Sequence, residues 1–128
     1  MFPILQSYFS KTMKVVGIGR SRVVYLHPRL KKHVIKVPLN ELGNMNNRHE
    51  YETWTRYPGA KCSSSNYYSY LTRKLTGLDL CILVMEKVEK VNFQLLTSDE
   101  KILYLCIDCG QVGRNHDGKI VAYDWGAY

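Results

Sequence analysis

Three short segments rich in β-branched and aromatic residues occupy the first third of the chain, and turn-forming residues separate them. They are MKVVGIG (residues 13–19), RVVYLH (22–27) and HVIKVP (33–38). Such residues favour strands, whereas the glycine-containing bend and Pro28 between the segments favour turns. This succession therefore predicts three strands.

The next segment has a helical pattern. NNRHEYETWTRY (residues 46–57) contains no Gly or Pro, and the YPG sequence at its end is expected to stop a helix. At helical spacing, Met45, Tyr51, Trp54 and Tyr57 share one face. The pattern predicts a helix directly after the third strand.

The remaining segments predict further strands and one more helix. YYSYLTRKL (67–75) and LDLCILVMEKV (78–88) resemble a hairpin joined near the Thr-Gly pair between them, and the second strand is apolar enough to be central. TSDEKILYLCI (97–107) begins with a Thr/Ser-x-x-Glu capping signature and predicts a short helix. QVGRN (111–115) and KIVAYD (119–124) predict two strands joined by the HDG turn.

Length and composition indicate one globular domain, since the chain has 128 residues of which 45% are hydrophobic. The longest apolar stretch, LDLCILVM (78–85), is too short to span a bilayer, and the N-terminus lacks the basic start of a signal peptide. The formal charge of +7 suits an anionic partner such as a nucleotide, a nucleic acid or an acidic protein, although a solvated basic surface would also explain it.

The four cysteines favour a reducing compartment. Cys106 and Cys109 form one C-x-x-C, but Cys62 and Cys81 are too far apart to supply the second half of a zinc site. Reduced thiols in a cytosolic protein are the expectation, with metal or redox use as the alternative.

One motif near the start suggests phosphate binding. GIGRSRVVY (17–25) resembles the G-x-G-x-x-G-x-V loop of kinases through Gly17 and Gly19, with Arg22 in place of the third glycine. Arg20 and Arg22 either solvate the tip of this loop or add positive charge beside a bound phosphate.

Three further motifs follow in the order that the kinase fold requires. VIKVP resembles the strand whose lysine holds the nucleotide phosphates, which assigns that role to Lys36. Glu50 stands in the following helix where the partner glutamate belongs, and Glu52 is the nearby alternative. VMEKV (residues 84–88), the hinge-like segment, would meet an adenine through backbone groups of Glu86 and Val88.

Together these motifs resemble the protein-kinase-like superfamily, and most closely the bacterial YrbL-type (PhoP regulatory network) kinase-like proteins and small phage-encoded relatives. The resemblance covers residues 15–57 best. It implies an α+β fold in a single domain: a small lobe over about residues 13–91, with a five-stranded antiparallel sheet and one αC-like helix. A reduced large lobe over about 92–128 would comprise a short helix and a β-hairpin.

The same resemblance implies a catalytic apparatus with defects. Asp124 in YDWGAY resembles the magnesium-binding aspartate of Asp-Phe-Gly, and Gln111 falls where the second magnesium ligand, an asparagine, belongs. The catalytic aspartate should precede that ligand by five residues, where this chain has Cys106. Asp108 is nearer and would be a compromised base, because phosphoryl transfer depends on accurate positioning.

The sequence stops directly after this motif, so no activation segment or substrate platform is expected, and apolar side chains of the large lobe would be poorly covered. The side chains concerned are Ile102, Leu103, Leu105, Ile107, Val121 and Trp125. Poor coverage predicts a protein partner, either a host protein or a second copy in a homodimer.

Three functions remain open at this point. The first is a reduced, pseudokinase-like binding module, phage or mobile-element encoded, that modulates a partner protein and has residual or lost nucleotide binding. The second is a minimal active kinase using Mg-ATP, completed by dimerisation. The third is a small basic nucleic-acid-binding protein, against which the chain has no helix-turn-helix or RNP-like pattern.

Overall fold

The chain has an α+β fold, as predicted, and the computed structural model describes residues 2–53, 62–63, 66–106 and 112–122. The helices are α1 (Pro3–Phe9), α2 (Glu41–Thr53), α3 (Asn66–Thr76) and α4 (Ser98–Cys106), and a 3-10 turn (Phe93–Leu95) precedes α4. The strands are β1 (Lys14–Ile18), β2 (Arg22–Leu26), β3 (His33–Pro38), β4 (Cys62–Ser63), β5 (Leu83–Glu86), β6 (Glu89–Lys90), β7 (Val112–Arg114) and β8 (Ile120–Ala122).

The main sheet is antiparallel and has the strand order β1-β2-β3-β5-β4. Four of its strands have four to six residues, whereas β4 has only two. The three N-terminal strands agree with the predicted segments. The register places Val24 opposite Lys36 and Arg22 opposite Pro38, so these four side chains share one face of the sheet.

The hydrophobic core lies on the opposite face of this sheet, between β2, β3 and the two helices α1 and α3. Its fully or nearly fully buried members are Leu5, Phe9, Val23, Tyr25, Ile35, Val37, Leu71, Leu80 and Ile82. Burial of side chains of this size contributes roughly 1.5–3 kcal/mol each. Helix α1 was not predicted from the sequence, and it supplies Leu5 and Phe9 at the i, i+4 spacing of one helical face.

The predicted hairpin over residues 67–88 is wrong in its first half, because that segment forms α3. Leu71 and Thr72 are buried on the inner face of the helix, and Thr72 Oγ1 accepts the Leu80 N–H at 3.1 Å. The helix ends at Thr76, and the following Gly77 has a φ of 76°, in the left-handed region that glycine tolerates. The predicted second strand forms only over β5.

Helix α2 starts earlier than predicted, and the face that it buries is not the predicted apolar one. Asn40 caps it by accepting the Gly43 N–H at 3.1 Å, so the helix begins at Glu41 rather than at residue 46. On the apolar face predicted for this helix, Met45 is 60% exposed and Tyr51 is 47% exposed. Trp54 and Tyr57, the other members of that face, lie outside the described residues.

A second, three-stranded sheet has the order β6-β7-β8 and attaches to the end of the main sheet through residues 87–88. Its hairpin was predicted, and it turns at Gly118 with a φ of 80°. A Cβ on Gly113 would lie 2.2 Å from Val88 Cγ1, so β7 packs directly against the hinge-like segment. Val121 is 6% exposed, which corrects the expectation that it is uncovered, whereas Ile102 is exposed as expected.

The capping signature before α4 forms as predicted. Thr97 N donates to Glu100 Oε1 at 3.0 Å, and Glu100 N donates to Thr97 Oγ1 at 3.2 Å. Arg114 also bonds Glu100, with Nη1 3.0 Å from Oε2, and ties α4 to β7. These hydrogen bonds from Arg114 and then from Thr97 N lower the pKa of the Glu100 carboxyl.

Candidate functional site

The predicted lysine and glutamate lie together beneath α2. Lys36 Nζ is 3.2 Å from Glu50 Oε2 and 3.4 Å from Glu50 Oε1, and both side chains are 0% exposed. Lys36 reaches this position because it is on the face of β3 that α2 covers, and Glu50 is on the covered face of α2. The alternative partner, Glu52, is exposed. The structure therefore pairs Lys36 with Glu50, in a site closed to solvent.

Arg22 enters the same ion cluster, which corrects the expectation that it lies at a loop tip. Its Nη1 is 2.7 Å from Glu50 Oε1 and 3.1 Å from Asn47 Oδ1, and its side chain is 0% exposed. One carboxylate thus bonds two cations in a buried site. Burial of charges is costly unless they are paired, and here the Glu50 carboxylate pairs with both cations.

Asparagines on α2 hold the cluster against the sheet. Asn47 Nδ2 donates to Lys36 O at 3.0 Å and to Cys81 O at 2.8 Å, while Asn44 Oδ1 accepts the Cys81 N–H at 2.7 Å. Asn44, Asn47 and Glu50 follow one another at i, i+3 spacing, so they form one polar and buried face of the helix. This polar face was not predicted, although the three-residue spacing of its polar side chains is visible in the sequence.

The glycine-containing loop (residues 17–22) is bound to the start of α2. Asn40 Nδ2 donates to Arg20 O at 3.2 Å, and Leu39 N donates to Ser21 O at 2.7 Å. Asn46 Nδ2 lies 3.2 Å from Ser21 Oγ, and the Ser21 side chain is buried. The tip of the loop therefore faces the helix.

The two predicted phosphate-loop glycines have different surroundings. Gly17 lies in β1, where a Cβ would meet only Val24 Cβ at 3.9 Å, an ordinary contact. Gly19 N donates to Arg22 O at 3.0 Å and closes the turn between β1 and β2. Arg20 is exposed. Of the two arginines in this loop, only Arg22 belongs to the buried cluster.

The hinge-like segment packs against the second sheet. Val88 joins Val34, Met85 and Val121 in a small apolar cluster, so side chains of β5 and β8 cover this part of β3. Glu86 is buried, and Asn115 Nδ2 lies 3.4 Å from its Oε1. Both predicted adenine-contact residues therefore make internal contacts through their side chains.

The predicted base and metal ligands, Asp108, Gln111 and Asp124, lie outside the described residues, and their roles stay predictions. Within the described ranges, no three His, Cys, Asp or Glu side chains are grouped closely enough to hold a metal ion. Cys81 is buried, and the reduced state expected of the four cysteines stays a prediction. The other three cysteines have side chains outside the described set.

Neither the protein-family models nor the curated protein sequences compared with this chain show a match to it. No helix among the described residues is long and apolar enough to cross a membrane. The function must therefore be inferred from the contacts of the site itself.

Proposed function

We propose that this chain is a kinase-like small-lobe module that acts by binding a partner protein, and that its Lys36–Glu50 pair stabilises the fold instead of holding a nucleotide. The order of β1 to β5 with α2 between β3 and β4 supports the kinase-like assignment. The pairing of Lys36 with Glu50 at 3.2 Å supports it independently.

The main support for the proposed loss of nucleotide binding is the burial of all three charged side chains. Lys36, Glu50 and Arg22 are each 0% exposed, and Arg22 takes one oxygen of the carboxylate at 2.7 Å. A phosphate group would have to enter this closed cluster to reach Lys36 Nζ. To enter, it would have to disrupt the contacts that α2 makes with β2 and β3.

The position of the glycine-containing loop supports the same conclusion. A kinase loop covers the nucleotide phosphates with its backbone. In this chain Ser21 O and Arg20 O already accept hydrogen bonds from Leu39 N and Asn40 Nδ2. Those contacts direct the loop toward α2.

Exposed apolar side chains support partner binding. On the outward face of α2, Leu42 is 52% exposed and Met45 is 60% exposed, at i, i+3 spacing. On β1, Val16 and Ile18 are 49% and 73% exposed. Clusters of exposed apolar side chains are typical of surfaces that bind other proteins.

We expect Mg-ATP at millimolar concentration to leave the melting temperature of the protein unchanged. A ligand present at ten times its Kd would add about 1.4 kcal/mol of stability, which in a chain of this size raises Tm by roughly 4 °C or more. An active protein kinase treated in the same way provides the positive control. A saturable rise in Tm that disappears in Lys36→Met would overturn the proposal and favour an ATP-dependent kinase.

A further inference from the structure

A basic strip crosses one end of the main sheet, where β1 begins and β2 joins β3, and continues onto the second sheet. It consists of two adjoining grooves of about 500 and 450 Å³. The first is lined by Thr12, Lys14, Leu26, His27, Pro28, Lys31 and Lys87, and the second by Lys31, Lys32, Lys87, Glu89, Arg114, Asn115, His116 and Gly118. Lys31 and Lys87 line both grooves, so they stand at the junction.

Backbone hydrogen bonds hold the loop that carries Lys31 and Lys32 in one conformation. Leu30 N donates to His27 O at 3.1 Å, and His33 N donates to Leu30 O at 3.2 Å. Lys87 N donates to Lys32 O at 2.8 Å and joins the loop to the hinge-like segment. The strip is therefore largely preorganised, which lowers the entropic penalty of binding.

The cations of the strip outnumber its anions. Lys14, Lys31, Lys32 and Lys87 are exposed, and none of them forms an ion pair with a carboxylate in the described part of the chain. Among the described residues that line the second groove, one is acidic, Glu89. Ammonium groups arranged in this way attract a run of negative charges.

The first groove also has apolar walls, because Leu26, Pro28 and the methylene stems of its lysines line it. We infer that the basic strip binds an acidic peptide segment of the partner protein, with one apolar side chain in the first groove and carboxylates on both sides of it. This inference rests on the proposed function, and it assigns the chemistry of the partner.

The lining favours a peptide over a nucleic acid. Single-stranded nucleic acids bind to aromatic side chains on which bases stack, and none of the described residues that line the two grooves is a Phe, Tyr or Trp. Arg114, the guanidinium in the strip, already donates to Glu100 and to Gly118 O. An apolar groove rimmed by ammonium groups therefore fits an apolar residue between acidic ones.

Fluorescence anisotropy with a labelled peptide, Glu-Asp-Glu-Leu-Glu-Asp-Glu, tests the inference. The leucine peptide should bind about tenfold more tightly than the same peptide with glycine in its place, since the leucine side chain enters an apolar groove. The double variant Lys31→Glu/Lys87→Glu should weaken binding about tenfold or more through charge reversal. The matched control Arg73→Glu/Lys74→Glu reverses two exposed cations on α3 and should change binding less than about twofold.

Three results would overturn the inference: equal affinity for the two peptides, equal weakening by the α3 control, or tighter binding of a twelve-nucleotide oligo-dT or of a twelve-base-pair duplex. An unchanged Tm for each variant shows that folding is not the cause. The peptide measurement contains no ATP, so a Tm rise with Mg-ATP would contradict the proposed function and leave the peptide result standing. If the peptide does not bind and Mg-ATP does not raise Tm, only the proposed peptide site is wrong.

Discussion

Glu50→Gln should lower the free energy of unfolding by about 3–5 kcal/mol, the range for breaking a buried ion pair by removing one partner. The amide has nearly the same shape as the carboxylate but carries no charge. It would leave the Arg22 and Lys36 cations buried beside each other without the group that both contact at 2.7 and 3.2 Å. Urea denaturation followed by circular dichroism measures this change.

Two comparison variants make this expectation specific. Lys36→Met should cost about half as much, because Glu50 would keep its contact with Arg22. Glu52→Gln, two residues away and exposed, should change stability by less than about 0.5 kcal/mol. If Lys36→Met proves as costly as Glu50→Gln, Arg22 does not share the carboxylate, and the structural role proposed for the cluster is wrong.

Gly43→Ala should destabilise the protein by about 2 kcal/mol or more, at or above the usual range for overpacking. A Cβ at this position would lie 1.9 Å from Ser21 O and 3.1 Å from Pro38 Cα. Both neighbours are backbone atoms, so no side-chain rotation relieves the collision. Alanine favours a helix by about 1 kcal/mol over glycine, and this gain offsets only part of the loss.

Other glycines provide controls for Gly43→Ala. Gly17→Ala should leave stability nearly unchanged, since its Cβ would make only an ordinary contact with Val24. Gly77→Ala has open space but a φ of 76°, so it should cost roughly 1 kcal/mol through backbone strain. A thermal unfolding series on the three variants ranks them, and a neutral Gly43→Ala would show that the loop does not pack on α2 as closely as described.

Local patterns predicted the elements whose side chains follow a simple period. The strands around Val23, Tyr25 and Ile35 combine β-branched and aromatic residues, and the turn at Gly118 has its usual sequence signal. The Lys36–Glu50 pair was also predicted, because its residues stand in a recognisable order of motifs. Its complete burial was not, since exposure depends on how α2 packs and not on the motif.

The wrong predictions come from packing that local patterns do not report. Residues 67–75 contain three tyrosines, which favour a strand. The segment is nevertheless a helix, which buries Leu71 and Thr72. The exposed Met45 was assigned to a common apolar face of α2, whereas the buried face is polar. Arg22 was placed at a loop tip by analogy with a glycine, although strand alternation puts it on the face of Lys36.

The order of the main sheet bears on how the chain reaches its native state. Strands β1, β2 and β3 can pair while they are close in sequence, but β5 must return from far along the chain to pair His33 with Glu86. Until it does, one edge of β3 keeps unsatisfied backbone groups that a second molecule could bind. We therefore expect slow refolding whose yield falls as protein concentration rises. Light scattering during refolding would detect the aggregates. A concentration-independent yield would mean that β5 docks before molecules meet.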